Sequence, residues 1–481
     1  MKFADKMLIG GELSGGSAGG KLTVEDPATG KIVAEVPSAN EADVDSAVNA
    51  ARACFEERTW TSRLPADRAA AMWRLSDAIS ADAEEFAKLE VIDNGMPLAF
   101  ARATINGAIN GLRYYAGLCT KLHGLTSDIS GAGRELHAYT LMEPVGVVGA
   151  ITPWNAPLAT VINKIAPAIA AGCSVVVKPA EQTPLSALRL AQLLANSELP
   201  AGLVNVVTGV GGVAGAALAN HPQVDKLTFT GSTDVGKSLV HASAGNLKRL
   251  TLELGGKSPV FVFDDADMSK AIPACLTAIF ANSGQVCFAG SRLYIQRSRY
   301  EEVVERISAA AKTMKLGNGF EESTQLGPLV SAKQMQRVLE YVESGIAEGA
   351  ELMCGGRQFG ESGYFVEPTV FANSARRDIR ITREEIFGPV LTAMPFDDID
   401  ELASLANDTT YGLGSGIFTS SVSTAHKAAR RIRAGNVWIN CYGMLDKSMP
   451  FGGYRQSGWG RESGLQGIEP FLETKSVYTM L

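Results

Sequence analysis

The chain of 481 residues is long enough to bury a large core, and with 46% hydrophobic and 20% charged residues it has the composition of a folded globular protein. Its formal net charge of −7 argues against a nucleic-acid-binding protein, whose binding surface must be basic. The longest nearly continuous apolar stretch, residues 165–177, is too short to cross a bilayer, and the N-terminal residues lack the apolar core of a signal peptide.

Cysteine and histidine usage indicates a reducing compartment and no metal site. The seven cysteines include no Cys-x-x-Cys pair, and the five histidines form no His-Glu-x-x-His pattern. An odd number of scattered cysteines is not the pattern of a disulfide-stabilised secreted domain. We therefore expect a cytoplasmic enzyme or binding protein.

The N-terminal part of the chain predicts mainly helices. Short extended segments occupy the first 40 residues, and helical spacing of apolar residues then predicts helices over 41–57, 65–93 and 97–122. The following segment alternates polar and apolar residues, which predicts a β-hairpin within 124–143.

From residue 145 onward, strand and helix patterns alternate. The strand patterns are apolar throughout, as expected for parallel strands that are covered by helices on both faces. The sequence therefore predicts an α/β fold with parallel sheets. The predicted strands are 145–151, 173–177, 203–207, 226–229, 250–252, 260–263, 291–296, 390–395, 436–440 and 475–480, and the predicted helices are 157–171, 186–195, 210–219, 232–241, 268–282, 300–314 and 332–348.

Two glycine-rich patterns are candidate phosphate-binding turns. Residues 231–238 match the P-loop pattern G-x-x-x-x-G-K-[ST], with Asp264 and Asp265 as an acidic partner segment, and residues 209–214 match G-x-G-x-x-[GA]. Such turns present backbone N–H groups at a helix N-terminus to an anion. A nucleoside triphosphatase is therefore an alternative function. Against it, at least three predicted strand–helix units precede residues 231–238, whereas a P-loop normally follows the first strand of its domain.

Four short segments carry side chains suited to covalent chemistry on a carbonyl group. Asn155 lies between two prolines, Glu253 precedes two glycines at a strand end, Cys287 lies among small residues, and Glu385 and Phe387 precede a turn. A thiol, a carboxylate and an amide can serve as nucleophile, base and oxyanion donor. Each also has a purely structural interpretation, as a core thiol, a solvated carboxylate or a turn residue.

Specific motifs occur along the chain in an order that identifies a family. In these motifs the chain resembles the NAD(P)-dependent aldehyde dehydrogenase superfamily of the hydrolytic, non-acylating type, over essentially its whole length. The motifs are PWNAP at 153–157, KPAEQTP at 178–184, FTGS at 229–232, ELGGKSP at 253–259, GQVCFAGSR at 284–292, EEIFGPV at 384–390 and PFGGYRQSGWGRE at 450–462.

The resemblance implies an architecture of two parallel-sheet α/β domains and a β-hairpin oligomerisation arm. It places a coenzyme-binding domain at 1–122 and 145–253 and a catalytic domain at 254–455. The arm and a C-terminal strand would occupy 123–144 and 456–481, and would join subunits into a homodimer or homotetramer.

The resemblance also implies a mechanism. The Cys287 thiolate would attack the aldehyde carbonyl, and the Asn155 amide with the Cys287 backbone N–H would hold the oxyanion. Glu253 would activate water to hydrolyse the resulting thioester, with Lys164 and Glu462 as a proton-relay pair behind it. The nearest alternative activity is that of a relative that transfers the acyl group to coenzyme A. The presence of Glu253 favours hydrolysis over this transfer.

NAD is the coenzyme that the resemblance implies. The matching positions are Lys178 and Glu181 for the adenosine ribose, Gly231 and Ser232 for the pyrophosphate, Glu385 and Phe387 for the nicotinamide ribose and ring, and Trp154 at the border of the cleft. Because the Glu181 charge would repel a 2′-phosphate, we expect NAD to be preferred over NADP, with Lys178 reducing the difference.

An aldehyde tunnel is the last feature that the resemblance implies. Relatives that act on succinate semialdehyde carry an arginine at the Asn163 position, so we expect neutral aldehydes of medium size. A preference for succinate semialdehyde would require another basic residue, such as Arg113 or Arg455. The lining residues are Ala156, Thr160 and Asn163 on one face of a helix, Val286 and Phe288 beside the nucleophile, and Phe451, with Met444 and Leu445 at the mouth.

Overall fold

The computed structural model describes residues 3–129 and 135–480. The strands of these residues are β1 Met7–Ile9, β2 Glu12–Ser14, β3 Lys21–Asp26, β4 Lys31–Pro37, β5 Thr126–Asp128, β6 Leu136–Pro144, β7 Val147–Ile151, β8 Ser174–Lys178, β9 Val204–Val206, β10 Lys226–Thr230, β11 Arg249–Glu253, β12 Pro259–Val262, β13 Arg292–Gln296, β14 Glu351–Cys354, β15 Thr369–Ala372, β16 Val390–Phe396, β17 Gly414–Phe418, β18 Asn436–Ile439, β19 Gly458–Trp459 and β20 Leu472–Met480. The helices are α1 Glu41–Glu56, α2 Pro65–Ala81, α3 Ala83–Asn94, α4 Leu98–Leu118, α5 Pro157–Ala171, α6 Leu185–Ala195, α7 Ala216–Asn220, α8 Thr233–Ser243, α9 Met268–Phe280, α10 Tyr300–Lys312, α11 Ala332–Ala347, α12 Arg380–Arg383, α13 Leu402–Asn407 and α14 Val422–Arg431.

An eight-stranded sheet has the strand order β19-β11-β10-β7-β8-β9-β1-β2. The five strands from β11 to β9 are parallel, and β1, β2 and β19 pair antiparallel at the two sides. Strands β7 and β8 are buried along their whole length, as expected for parallel strands between two layers of helices. Because these strands are parallel, the segments after β7, β8, β10 and β11 all leave the same edge of the sheet.

A seven-stranded sheet has the order β14-β15-β16-β13-β12-β17-β18 and is parallel except for β14. A three-stranded antiparallel sheet has the order β20-β6-β5, and β3 and β4 form a separate antiparallel pair. The predicted α/β class is confirmed. The predicted hairpin is also present as β5 and β6, although residues 130–134 between them lie outside the described residues.

The single helix predicted over 65–93 is wrong, because the structure has two helices, α2 and α3, that meet at Asp82. Asp82 has φ −107° and ψ 10°, and its carboxylate accepts hydrogen bonds from Arg189 Nε at 2.6 Å and Arg189 Nη2 at 3.1 Å. No glycine or proline marks this break in the sequence. The partner that accompanies it lies on α6, more than a hundred residues away.

The helix predicted over 210–219 has a different form. It opens with a wide turn of π-helix over Gly211–Gly215 and continues as the short helix α7. The predicted C-terminal strand is β20, which extends further back than expected. The segment 456–481 also contributes β19, whose Gly458 pairs with Glu253 on the eight-stranded sheet.

Candidate active site

Cys287 lies in the loop between α9 and β13. Before this loop, Asn282 and Ser283 have positive φ angles of 47° and 56°, which turn the chain sharply after α9. Cys287 and Cys441 are partly accessible, whereas the other five cysteines are buried. Cys287 is therefore one of the two cysteines that keep some solvent access.

Asn155 is fixed beside the loop that carries Cys287. Its side-chain Nδ2 donates to the Gln285 carbonyl at 2.9 Å, and Asn282 Nδ2 donates to the Asn155 carbonyl at 3.1 Å. Gln285 is buried and its Oε1 accepts a bond from the Val330 backbone N–H at 2.9 Å. The amide of Asn155 carries a second hydrogen, which can be offered to an oxyanion near Cys287.

Glu253 ends β11 as a buried carboxylate, with only 3% of its surface exposed. Neither carboxylate oxygen has a hydrogen-bond partner among the described residues. The carboxylate lies against Gly452, where a Cβ would come within 2.7 Å of Glu253 Oε1. Burial, and then the negative charge of Glu462, raise the pKa of Glu253 well above its usual range, while Lys164 and Arg461 oppose that shift.

Lys164 and Glu462 form a pair beside Glu253. The Lys164 ammonium is buried and lies 2.6 Å from Glu462 Oε1, and it donates to Thr228 Oγ1 at 3.2 Å. Glu462 is held in turn by backbone bonds with Phe451 in both directions. Lys164 and Glu462, which the family resemblance paired, are therefore in contact in the structure, although they are 298 positions apart in the chain.

The thiol of Cys287 lies in an environment that disfavours its charged form. Burial is the largest cause of its raised pKa, followed by the negative charges of Glu253 and Glu385. The backbone N–H of Phe288 acts in the opposite direction. These interactions indicate that Glu253 and Glu385 both lie near the Cys287 sulfur.

Lys178 and Glu181 meet at the carboxyl end of β8. Lys178 Nζ lies 3.3 Å from Glu181 Oε2, which also accepts the Gly211 backbone N–H at 3.1 Å. Burial lowers the pKa of Lys178, while Glu181 opposes that shift. Glu181 remains partly accessible, so its carboxylate can accept bonds from the hydroxyl groups of a ligand.

The turn at Gly231 and Ser232 joins β10 to α8. Gly231 leaves no room for a side chain, since a Cβ there would collide with the Phe229 ring. Ser232 is the N-cap of α8, where free backbone N–H groups and the helix dipole favour an anion. Val235 is exposed on α8, and Val210 and Val213 are exposed at the turn before α7. Apart from the adjoining residues of the chain, no described residue has an atom within 4 Å of the Cβ position of Gly212. An anion-binding turn, open space and exposed apolar side chains fit a dinucleotide.

Trp154 and Phe387 pack against each other, with ring centroids 5.1 Å apart and the rings nearly perpendicular. Phe387 has a positive φ of 59°, an uncommon conformation for an aromatic residue. Two positions before it, Glu385 accepts the Gly256 backbone N–H at 3.0 Å, and burial raises the pKa of Glu385 to about 7. A Cβ on Gly255 would collide with the Glu385 carboxylate, so glycine is required there.

An aromatic cluster lies directly beside Cys287. The Phe288 ring centroid is 5.8 Å from that of Phe451 and 5.5 Å from that of Trp438. Tyr442 donates a hydrogen bond to the Phe288 carbonyl at 2.5 Å. The sequence analysis named Phe288 and Phe451 but missed Trp438 and Tyr442, because both lie within or just after a segment that reads only as a strand.

Helix α5 presents a narrow accessible stripe in an otherwise buried element. The residues of α5 that are not fully buried are Ala159, Thr160 and Asn163. Two residues outside the helix are also partly accessible: Ala156 just before it, and Val286 in the loop that carries Cys287. These positions include the three that the sequence placed on one face. The Thr160 hydroxyl already donates to the Ala156 carbonyl at 2.9 Å.

Lys447 is a basic residue that the sequence analysis missed. Its Nζ donates to Asn163 Oδ1 at 2.8 Å. Arg113 contacts Ser76 and Asp77 instead, and Arg455 donates to the carbonyls of Asn407 and Thr409. Met444 and Leu445 are exposed in the same loop as Lys447, with 73% and 56% of their surface accessible. The sequence shows a lysine between Tyr442 and Phe451, but it does not show that the side chain extends toward Asn163.

The P-loop match at 231–238 does not have the surroundings of a nucleotide-hydrolysing site. It follows β10 of the eight-stranded sheet, whereas Asp264 and Asp265 follow β12 of the seven-stranded sheet. Asp265 accepts bonds from Thr419, Ser420 and Ser421 at the start of α14. Asp265 of the acidic partner segment therefore stabilises the N-terminus of α14, and this segment follows a strand of a different sheet from the P-loop match.

Residues 3–129 and 135–480 contain neither a candidate metal site nor a candidate membrane-spanning helix. These residues contain no cluster of three or more His, Cys, Asp or Glu side chains that could hold a metal ion. None of their helices has the length and apolar character needed to cross a membrane.

Comparison with known proteins identifies related chains of the same length and fold. A family model described as Aldehyde dehydrogenase family matches residues 15–477. An aldehyde dehydrogenase of Enchytraeus buchholzi is 47% identical over 478 residues, which cover 98% of this chain and 95% of the relative. Phenylacetaldehyde dehydrogenase of Pseudomonas fluorescens is 45% identical over 482 residues, covering 99% of this chain and 96% of the relative. The NAD⁺ complex of an aldehyde dehydrogenase from Bacillus cereus superposes with a TM-score of 0.97 at 45% identity, covering 99% of this chain and 96% of that one.

Proposed function

The chain belongs to the aldehyde dehydrogenase family and oxidises aldehydes with NAD, and we propose that the reaction passes through a thioester on Cys287 that Glu253 helps to hydrolyse. The observation that carries this proposal is the buried Glu253 carboxylate, whose oxygens lack a hydrogen-bond partner among the described residues. Leaving a buried acceptor unsatisfied costs about 1–3 kcal/mol. Such a cost is understandable where the group must bind and deprotonate a water molecule during turnover.

The first chemical step uses Cys287 and Asn155. After the Cys287 thiol has given its proton to water, the sulfur forms a bond to the aldehyde carbon, and the carbonyl π electrons move to the oxygen. The Asn155 Nδ2 and the Cys287 backbone N–H donate to that oxyanion, an arrangement supported by the bond that holds Asn155 to Gln285. When bound, NAD supplies the acceptor for the hydride that leaves the substrate carbon.

The second half of the reaction uses Glu253. With a thioester on Cys287, the Glu253 carboxylate takes a proton from water, and the oxygen adds to the acyl carbon. The carbon–sulfur bond then breaks, which returns the Cys287 thiolate and releases the carboxylic acid. Lys164 and Glu462, 2.6 Å apart, would carry the proton away from Glu253.

We assign the coenzyme contacts by the fit of the residues. Lys178 and Glu181 would hold the adenosine ribose, and Gly231 and Ser232 the pyrophosphate at the N-terminus of α8. Glu385, Phe387 and Trp154 would hold the nicotinamide ribose and ring. These assignments make 1–122 and 145–253 the coenzyme-binding domain and 254–455 the catalytic domain, and the sheet formed by β5, β6 and β20 the arm that joins subunits.

Substitution of Cys287 tests this proposal. We expect Cys287→Ala to abolish NADH formation from hexanal, while NAD still binds. Cys441→Ala is the matched control, because Cys441 is the other partly accessible cysteine, and it should turn over normally. NADH formation by Cys287→Ala at more than a trace of the wild-type rate would reject Cys287 as the nucleophile.

A further inference from the structure

In the loop of residues 443–449, one side chain is less exposed to solvent than its neighbours. Met444, Leu445, Asp446, Ser448 and Met449 are exposed, whereas Lys447 is partly buried. The loop is held at its start by Trp438, whose Nε1 donates to the Met444 carbonyl at 2.9 Å, and Trp438 also packs on Phe288 beside the nucleophile. Lys447 therefore points from the tunnel mouth toward the protein interior.

Lys447 extends between α4 and α5. Its Nζ donates to Asn163 Oδ1 at 2.8 Å, and its Cε lies 3.3 Å from the position that a Cβ on Gly111 would take. The absence of a side chain at Gly111 leaves room for the lysine stem. Lys447 therefore reaches Asn163, one of the residues of α5 that the sequence placed in the lining of the substrate tunnel.

The Lys447 ammonium is bonded to an amide oxygen rather than to a carboxylate. It forms no ion pair with any described residue, and an ammonium has three donors, of which Asn163 accepts one. Burial lowers the pKa of Lys447, while the negative charges of Glu462 and Asp446 oppose that shift. A charge removed from water is costly unless it is paired, so this site favours an anionic ligand.

The rest of the tunnel offers little competition for such a ligand. Phe288 and Phe451 form an apolar wall, and the Thr160 hydroxyl is already bonded to the backbone of its own helix. Glu462 contributes a negative charge near Lys447, but its carboxylate is paired with Lys164 rather than with the Lys447 ammonium. An extended substrate with an aldehyde at one end and a negative charge at the other would match both ends.

We propose that Lys447 binds a carboxylate at the distal end of the substrate, so that the protein prefers semialdehydes with a free acid over neutral aldehydes of the same length. This inference rests on the proposed function, because the aldehyde end must reach Cys287. It replaces the expectation of neutral substrates, which depended on the absence of an arginine at Asn163. A carboxylate can accept two donors from the ammonium while Asn163 accepts the third.

The first test compares each acid with its own methyl ester in the wild-type protein. Suitable pairs are succinate semialdehyde, glutarate semialdehyde and 4-carboxybenzaldehyde with their methyl esters. We expect at least one acid to exceed its ester in kcat/KM by roughly 10- to 100-fold, the range for a hydrogen bond to a charged group. If every ester is used as well as its acid, the inference is wrong.

The second test removes the charge. Lys447→Met should reduce the acid-to-ester ratio to near one, chiefly through a higher KM for the acid, and Lys447→Arg should keep a ratio above one. Lys333→Met is the matched control, since Lys333 is exposed on α11, and it should keep the wild-type ratio. A Lys447→Met variant that keeps the preference would overturn the assignment. The ester in each preparation reports damage to the fold, because it measures turnover without the carboxylate.

Turnover of hexanal distinguishes a failure of the proposed function from a failure of the Lys447 assignment. If no aldehyde, hexanal included, gives NADH, the proposed function fails. If hexanal is oxidised but no acid is preferred over its ester, only the inference about Lys447 fails.

Discussion

The burial of Glu253 raises its pKa, and this shift predicts how the rate of the proposed reaction depends on pH. Because burial and Glu462 raise its pKa, the carboxylate form that accepts a proton becomes scarcer as the pH falls. We therefore expect the steady-state rate of acid formation to rise with pH until Glu253 is ionised. Enzymes commonly shift the pKa of a general base toward the operating pH in this way.

Glu253→Gln tests the role of this carboxylate in hydrolysis. The variant should keep a first-turnover burst of NADH, because the first step does not need the base. Its steady-state rate should fall on the order of 10²–10⁴-fold, the usual contribution of a general base. Rapid-mixing measurements of NADH absorbance separate the two phases. Steady-state turnover at the wild-type level would show that another group activates the water.

Glu181 sets the expected preference for NAD over NADP. Its carboxylate pairs with Lys178 and accepts the Gly211 N–H, which fixes a negative charge where a 2′-phosphate would have to fit. Glu181→Gln should lower the ratio of kcat/KM for NAD to that for NADP on the order of tenfold, because a like-charge contact near a protein surface costs about 1–4 kcal/mol.

The control for this measurement is Glu305→Gln on α10, an exposed glutamate outside the coenzyme cleft. It removes the same net charge and should leave the coenzyme ratio unchanged. If wild type uses NAD and NADP equally well, the role assigned to Glu181 is wrong.

At the scale of secondary structure, helix α3 supplies carboxylates to the N-termini of two other helices. Glu90 Oε1 accepts the Leu158 N–H of α5 at 2.7 Å, and Asp93 Oδ2 accepts the Leu185 N–H of α6 at 3.0 Å. Thr104 of α4 donates to the other oxygen of Glu90 at 3.2 Å. Three helices are therefore connected through one buried glutamate, and α5 follows directly from the segment that carries Asn155.

Glu90 should make stability depend on pH. Burial raises its pKa from the ordinary 4.5 to about 7, partly opposed by the Leu158 N–H and the Thr104 and Ser186 hydroxyls. The folded protein thus holds this proton more tightly than the unfolded chain does. The contribution of Glu90 to stability is largest below pH 4.5 and is lost as the pH rises through 7.

Glu90→Gln removes this titration. Between pH 5.5 and pH 8 the stability of the variant relative to wild type should rise by about 2 kcal/mol, the free energy expected for such a pKa difference over that range. Urea unfolding at both pH values measures it, with Glu305→Gln as the control that should show no such change. A difference between variant and wild type that is the same at both pH values would contradict the assignment.

Strand β17 was not predicted from the sequence, and the reason is physical. Strand β17 reads GSGIF, and its two glycines made it a poor strand candidate. A Cβ at Gly414 would lie 3.0 Å from the Trp438 ring, and one at Gly416 would lie 2.7 Å from Tyr442. The glycines are needed because aromatic rings beside Phe288 pack over this strand, and that requirement exists only in the tertiary structure.

The candidate site was predictable to the extent that it follows strand ends. Helix α5 has the predicted bounds, and Asn155, Lys178 and Glu253 lie where apolar parallel strands finish. Lys447 could not be predicted, because it lies in a loop whose path depends on Trp438 and Gly111 rather than on its own sequence pattern. Chain position therefore predicted where Asn155, Lys178 and Glu253 lie, but not which side chain contacts Asn163.

At the scale of the whole molecule, the site is assembled from two sheets and a C-terminal segment. The eight-stranded sheet supplies Asn155 and Glu253, and the loop before β13 of the seven-stranded sheet supplies Cys287. Glu462 comes from the segment after both sheets and reaches Lys164 on α5. Because every component comes from a different part of the chain, activity should be lost together with the packing of the two sheets.

The three-stranded sheet is the feature that indicates self-association. Strand β20 pairs with β6 over nine residues and is an edge strand of the sheet β20-β6-β5. Most of its side chains are exposed. Tyr478 on β20 keeps 67% of its surface accessible, and Leu141 on the neighbouring strand β6 keeps 41%. A long edge strand with exposed apolar side chains is a template for pairing with another chain.

We therefore predict that the protein is a homodimer or homotetramer joined through this sheet. Sedimentation equilibrium should give a mass that is a multiple of the 50.8 kDa chain. Leu141→Asp together with Tyr478→Asp should shift the mass toward the monomer, because the two added charges would have to be buried in the interface. Phe320→Asp is the matched control, since Phe320 is a partly exposed aromatic residue outside this sheet, and it should not change the mass. A wild-type protein that sediments as a monomer at micromolar concentration, or a double variant that remains fully oligomeric, would show that this sheet is not the subunit interface.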